Sequence, residues 1–262
     1  MDFVKSLCIA LSTYTALPMP QFEWDERPLS LSFCFLPVAG VIIAALLWLW
    51  LKLCWWCGTG LILRSAVCAV LPLLVTGGIH MDGFCDTADA LCSHQDREKC
   101  LEIMKDSRAG AFAVIFCGAY LLLSFGLASE VSGRPGVYCL IFVLSRAVSV
   151  LSVTGKKNAR GTGMLAAFQK PVLRTAVRRV AWGWIVLCAL CMDLADIYAG
   201  SGALLAAVIV WNRYHAVCRR RFGGITGDTS GFFVQMLELA MMAGMFLGQA
   251  VEISGFILWR SF

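Results

Sequence analysis

Residues 33–53 read Phe-Cys-Phe-Leu-Pro-Val-Ala-Gly-Val-Ile-Ile-Ala-Ala-Leu-Leu-Trp-Leu-Trp-Leu-Lys-Leu, with Lys52 as the one charge. An α-helix crosses a bilayer with about 20 mostly apolar residues, and this run supplies them. Comparable stretches recur near 61–79, 109–129, 136–154, 180–198, 199–217 and 232–258. The expected fold is therefore all-α: a polytopic membrane bundle of about seven spans. Met1 to Leu17 is too short and too interrupted for a span. It reads as an amphipathic or re-entrant segment ending at Pro18 and Pro20, with no small-residue cleavage site of a signal peptide. No internal repeat or low-complexity linker divides the chain, so residues 1–262 are taken as one integral membrane domain.

Composition agrees. Of 262 residues, 59% are hydrophobic and only 15% charged, and the mean hydropathy is +0.76, well above a soluble domain. The charges cluster between the apolar runs. With a cytoplasmic N-terminus, the inner segments hold Lys5, Arg27, Arg97, Lys99, Lys105, Arg108, Lys156, Lys157, Arg160 and Arg219–Arg221, while the outer ones keep Arg134 and Arg260. That asymmetry follows the positive-inside rule and places the 80–108, 155–179 and 218–231 loops together on the cytoplasmic side. The net charge of +5 then needs no nucleic-acid partner; a basic inner face suits anionic lipid or a phosphorylated substrate. The thirteen cysteines form no zinc pattern: Cys54-x-x-Cys57 and Cys188-x-x-Cys191 lie in or beside apolar runs, where cysteine is a small hydrophobe.

Against this background Gly77-Gly78-Ile79-His80-Met81-Asp82-Gly83-Phe84-Cys85-Asp86-Thr87-Ala88-Asp89 stands out. Asp82, Asp86 and Asp89 are spaced i, i+4, i+7, which puts three carboxylates on one helix face. Like charges so placed repel unless a cation joins them, and Mg²⁺ or Mn²⁺ prefers carboxylate oxygen. The bland alternative is a solvated acidic turn. Two further segments carry chemistry. In Glu102-Ile103-Met104-Lys105-Asp106-Ser107-Arg108, Lys105 and Arg108 could hold phosphate oxygens, or simply snorkel at the interface. Arg221-Phe222-Gly223-Gly224-Ile225-Thr226-Gly227-Asp228-Thr229-Ser230-Gly231 reads as a phosphate-cradling loop, or as a plain helix start capped by Asp228 or Thr229. Within the spans, Arg146 and Glu238 are expected to form an internal polar site, since charge facing lipid is costly.

Together these motifs resemble the cobalamin synthase (adenosylcobinamide-GDP ribazoletransferase) family over nearly the whole chain. The resemblance rests on Ser32–Gly40, His80–Asp89, Ile103–Arg108 and Gly223–Thr229, with a weaker match at Ala159–Gly163. One departure is Ala90, where the family usually has glycine. The resemblance implies joining of adenosylcobinamide-GDP to α-ribazole or its 5′-phosphate with release of GMP, dependence on Mg²⁺, and residence in the cell inner membrane with the active-site loops toward the cytoplasm. Other enzymes of vitamin B12 assembly and a second copy of the chain are further partners it allows. Mapped onto this sequence, Asp82, Asp86 and Asp89 would hold the metal, with Asp106 or Asp228 completing the shell. Lys105, Ser107, Arg108, Arg146, Arg160, Gly223, Gly224, Thr226, Gly227 and Thr229 would bind substrate. His80 would take the proton from the attacking hydroxyl, or an aspartate free of metal would. Three rivals remain. A CDP-alcohol phosphotransferase would carry Asp-Gly-x-x-Ala-Arg before its later aspartates, whereas Asp82-Gly83 here is followed by Phe-Cys-Asp. An intramembrane prenyltransferase would want a second aspartate-rich loop. A divalent-cation transporter would place carboxylates at mid-membrane.

Overall fold

The computed structural model describes residues 2–20, 22, 25–106, 108–131, 135–161 and 174–260, with side chains through 254. The described residues are helical almost throughout. In chain order the helices are α1 (Asp2–Tyr14), α2 (Glu26–Ser32, running through a 3₁₀ turn at Phe33–Phe35), α3 (Leu36–Cys57), α4 (Leu61–Thr76), α5 (Ile79–Cys92), α6 (Arg97–Ile103), α7 (Ala111–Ser129), α8 (Pro135–Gly155), α9 (Arg174–Ala195), α10 (Ile197–Val217) and α11 (Gly227–Arg260). Among these residues, five helical stretches are long and apolar enough to cross a membrane, or six if a bent pair counts as one span. The chain is a multi-pass membrane protein.

The departures from the expected spans have local causes. The segment expected at 61–79 ends at Thr76, because Gly77 (φ 62°) and Gly78 (φ 79°) turn left-handed, a conformation that favours glycine. Helix α5 leaves at 96° to α4. It therefore lies across the end of the bundle rather than through it. The expected 199–217 span appears as α10, long enough to cross, but Gly200, Ser201, Gly202, Asn212 and Arg213 dilute its apolar character. Its start is fixed by Asp196, whose carboxylate accepts the Ala199 N–H at 3.0 Å. The expected N-terminal amphipathic segment is α1, which packs on α2 and α3.

Among the described residues, the helices of the bundle run between two ends. One end gathers Phe33, His80, Lys105, Asn158 and Asp228 around one cavity; the other gathers Cys54, Gly58, Arg64, Val131 and Pro135. Helix α8 is the hub, buried along nearly its whole length and packed by α3, α9 and α11. Its apolar face explains why Arg146 can be 1% exposed: the guanidinium donates to Glu238 of α11, to the Phe142 carbonyl (2.9 Å) and to the Ser145 hydroxyl (3.0 Å). Ser145 in turn donates to Glu238 at 3.1 Å. A charge this deep is tolerated only when paired.

Candidate active site

Helix α5 brings its acids to the site because α11 crosses it at van der Waals distance. A Cβ on Gly83 would sit 2.6 Å from the Asp228 carbonyl oxygen, and one on Gly231 would sit 2.9 Å from that of His80. Only hydrogen fits at both points. The start of α11 is set by a reciprocal cap: the Thr226 N–H donates to Thr229 Oγ1 (2.8 Å) and the Thr229 N–H to Thr226 Oγ1 (3.1 Å). The loop before it is stitched to the loop after α8 by a short parallel pairing, with Ala159 N donating to Ile225 O (2.8 Å) and Ile225 N to Lys157 O (2.9 Å). Glycine at 224 is required there, since a Cβ would lie 2.4 Å from the Lys157 oxygen.

These elements enclose a cavity of about 370 Å³ lined by, among others, His80, Asp82, Lys105, Arg160, Gly227 and Asp228. Arg160 touches Asp228 at 2.9 Å, an ion pair in poor hydrogen-bond alignment, so Arg160 Nε and Nη2 and Asp228 Oδ2 are buried without a hydrogen-bond partner, as is His80 Nε2. Buried polar atoms left so are rare and costly; others lie elsewhere in the bundle, but those of His80, Asn158, Arg160 and Asp228 sit on residues that line this one cavity. Acid exceeds base beside it. Burial first, then Asp82, Asp228 and Asp89, push the Asp86 carboxyl up to about 6, with Arg160 opposing. His80 is 5% exposed and stacks on Tyr14 at 5.9 Å. Burial, with Arg146 adding, holds its pKa down at about 3, so the imidazole is neutral at pH 7.

The sequence-derived residues divide into groups. His80, Asp82, Lys105, Arg160, Thr226, Gly227 and Asp228 line the cavity, and Asp86 feels its charges. Asp89 is turned to another use: its two oxygens accept the Gly110 and Ala113 N–H groups (2.7 and 2.9 Å), satisfying the first turn of α7. Asp106 is engaged by Arg108 at 3.1 and 2.8 Å, which lowers its pKa to about 2, and this pair lies at the surface. Thr229 is fully buried in the α11 cap, and Gly223 and Gly224 serve loop packing, Gly223 against the Arg97 guanidinium. Arg146 lies below the cavity in its pair with Glu238. Ser107 lies outside the described residues, as do Thr162 and Gly163. Sequence reasoning missed Tyr14 and Asn158. Asn158 Oδ1 accepts the Arg160 N–H at 2.9 Å and so aims that residue; an Asn two residues before Arg160 in a glycine-ended loop was the available signal.

Among the described residues no three His, Cys, Asp or Glu side chains are gathered closely enough to hold a metal ion unaided. Mg²⁺ differs from structural metals in using one or two carboxylates together with substrate phosphates. The acid excess of Asp82, Asp86 and Asp228, with Asp228 Oδ2 in ion-pair contact with Arg160 but not hydrogen-bonded, fits an ion shared with a diphosphate rather than a preformed cage.

A family model described as cobalamin-5-phosphate synthase matches residues 6–246. Proteins named adenosylcobinamide-GDP ribazoletransferase are similar over nearly their full length. That of Lachnoclostridium phytofermentans is 35% identical over 260 residues, 99% of this chain and 100% of that protein. That of Clostridium botulinum strain Alaska E43 is 30% identical, covering 91% of this chain and 95% of its own, and that of Pseudomonas putida strain F1 is 33% identical, covering 95% and 97%. No solved structure matches.

Proposed function

Because the chain belongs to the cobalamin-5-phosphate synthase family, we propose that it transfers the cobinamide-phosphate arm of adenosylcobinamide-GDP to α-ribazole or α-ribazole 5′-phosphate. The products are adenosylcobalamin, or its 5′-phosphate, and GMP. The observation that carries this is the cavity itself: an Arg160–Asp228 ion pair at 2.9 Å in poor hydrogen-bond alignment, with Arg160 Nε left without a partner, beside a surplus of carboxylates. That is a site for phosphate plus a divalent ion, on a chain whose relatives are named for phosphate transfer from a nucleotide-linked donor.

The hydroxyl oxygen of the ribazole ribose bonds to the phosphorus that carries cobinamide. The bond from that phosphorus to the bridging oxygen breaks, and its electron pair leaves with GMP. Arg160 and Lys105 bind the diphosphate oxygens, Arg160 trading its poorly aligned contact with Asp228 for phosphate. Mg²⁺, when bound, neutralises charge developing on the diphosphate, and Asp82, Asp86 and Asp228 would hold it. A cavity of about 370 Å³ admits a diphosphate and a sugar but not a corrin ring, which would stay outside it. His80, held near pKa 3, is a weak proton acceptor; it serves as a neutral hydrogen-bond partner through Nε2, and because Mg²⁺ needs only one or two carboxylates, the one of Asp82, Asp86 and Asp228 that it leaves free takes the proton. The basic residues of this end, including Lys156, Lys157 and Arg219–Arg221, support a cytoplasmic orientation in the cell membrane. A cation transporter is disfavoured, because the acids sit at one end rather than along a path.

The test is direct. Full-length protein in lipid nanodiscs, given adenosylcobinamide-GDP, α-ribazole 5′-phosphate and Mg²⁺, should release GMP in step with formation of adenosylcobalamin 5′-phosphate. No GMP above a no-acceptor control, or equal release from a cytidine diphosphate donor with an alcohol, overturns the assignment.

A further inference from the structure

The end of the bundle farthest from the candidate active site carries a second cavity, of about 530 Å³, between the C-terminal turn of α3 and the start of α4. Among the described residues, its lining includes two cations, Lys52 and Arg64, and no carboxylate. Arg64 lies in the first turn of α4, whose N-cap Gly60 offers no side-chain acceptor to the first N–H groups; the positive end of that helix adds to the two charges. Arg64 is held rather than free: its carbonyl accepts the Trp50 indole N–H at 3.1 Å and its Nη2 reaches Val131 O at 3.5 Å. Its Nε is nevertheless buried with no partner. A guanidinium with an unused donor, a lysine and a helix N-terminus at one cavity make a site short of one anion.

The surroundings say where that anion comes from. Trp55 is 83% exposed and Trp56 79%, and Leu61, Ile62 and Leu63 just across the turn are exposed as well. Tryptophans at the end of an apolar helix mark the headgroup layer of a bilayer. An anion arriving beside exposed leucine and isoleucine brings acyl chains with it.

We propose that this cavity binds the phosphodiester of an anionic phospholipid, such as phosphatidylglycerol, in the leaflet opposite the active site. Arg64 Nε and Nη2 and the α4 N-terminus take the phosphate oxygens, Lys52 supplies the second charge that separates anionic from zwitterionic lipid, and Leu61–Leu63 lie along the acyl chains. The site is independent of the transfer reaction and fails or stands without it.

The experiment uses the full chain in detergent, exchanged against phosphatidylglycerol or phosphatidylcholine, with bound lipid counted by native mass spectrometry and the unfolding midpoint recorded. The wild type should retain phosphatidylglycerol in preference and unfold at higher temperature with it. Lys52→Gln and Arg64→Gln should each cut the preference about fivefold, the scale of one interfacial cation, and together abolish it. Arg64→Lys, which keeps the charge and loses the fork, should keep the preference for anionic lipid while lowering retention. Undiminished preference in the double variant overturns the proposal. So does equal retention of phosphatidylcholine by the wild type, or a rise in unfolding midpoint with inorganic phosphate equal to that with lipid, which would make this a site for free anions. If the glutamine variants fail to fold, Arg64→Lys alone decides: unchanged retention sinks the guanidinium's part.

Discussion

Two groups of charges lie within the polar half of this bundle and are built on opposite terms. Arg146 and Glu238 match one to one, both side chains 1% exposed, and tie α8 to α11 without lining the cavity. Asp82, Asp86 and Asp228 outnumber the described cations beside them, Arg160 in contact with Asp228 and Lys105 in the cavity lining. The first group balances its charges, although Arg146 Nε and Glu238 Oε2 are also buried without a hydrogen bond; the second carries a surplus of one sign. Burial alone, then, does not mark function in a membrane protein. The more buried pair is the structural one, and the surplus of one sign beside an accessible space is what a ligand must complete.

The comparison breaks most readily at the balanced pair. Arg146→Met leaves Glu238 as an uncompensated charge among apolar helices and should destabilise the fold by about 3–5 kcal/mol, whereas Arg146→Met combined with Glu238→Leu should recover most of that loss. Thermal unfolding in nanodiscs reads both; a double variant no better than the single would mean that the pair does more than neutralise itself. Next in size, Asp82→Asn and Asp228→Asn should lower GMP release by about 100-fold or more, the loss of several kcal/mol of transition-state stabilisation, with the unfolding midpoint held. Asp89→Ala sharpens the contrast. It should act mainly on stability, by about 1 kcal/mol, as removal of a helix cap does. A hundredfold loss at Asp89 with unchanged unfolding would return that residue to the metal shell.

The smallest expected effect is on pH. Asp86 titrates near 6, above the ordinary carboxylate range, and must be ionised to hold Mg²⁺. Turnover should therefore fall as pH drops through about 6. Because the ion favours the ionised form, raising Mg²⁺ should move this acidic limb to lower pH. His80, near 3, contributes no limb in that range, so His80→Ala should lower turnover and leave the limb in place. A limb that vanishes in His80→Ala makes histidine the base after all.

Much of this was legible in the residues. The apolar runs located α3, α7 and α8, and the i, i+4, i+7 acids gave the helix that α5 is. What the sequence could not show is which acids a neighbouring element claims. Asp89 has the spacing of a ligand, and only the three-dimensional approach of Gly110 and Ala113 turns it into a cap. Arg108 and Asp106 satisfy each other locally, whereas Arg160, in the motif that matched least well, reaches the cavity because the loop after α8 pairs with Ile225. The bend at Gly77–Gly78 was hidden because the run looks apolar on both sides of it. Thr226 and Thr229 fit a phosphate loop and a capping box equally well on paper; the crossing of α11 over α5 buries them and selects the cap.

That crossing has a consequence for how the protein is made. Gly83 and Gly231 let α5 and α11 touch backbone to backbone, yet five described helices, α6 to α10, separate them in the chain. A ribosome feeding the chain into a membrane from its N-terminus delivers Asp82 and Asp86 well before Asp228. Until α11 inserts, the early acids have neither Arg160's loop pinned beside them nor a third carboxylate, and a half-made chain has no competent pocket. Helix α11 works as the stitch that closes the site during biogenesis, so that chemistry waits for its insertion.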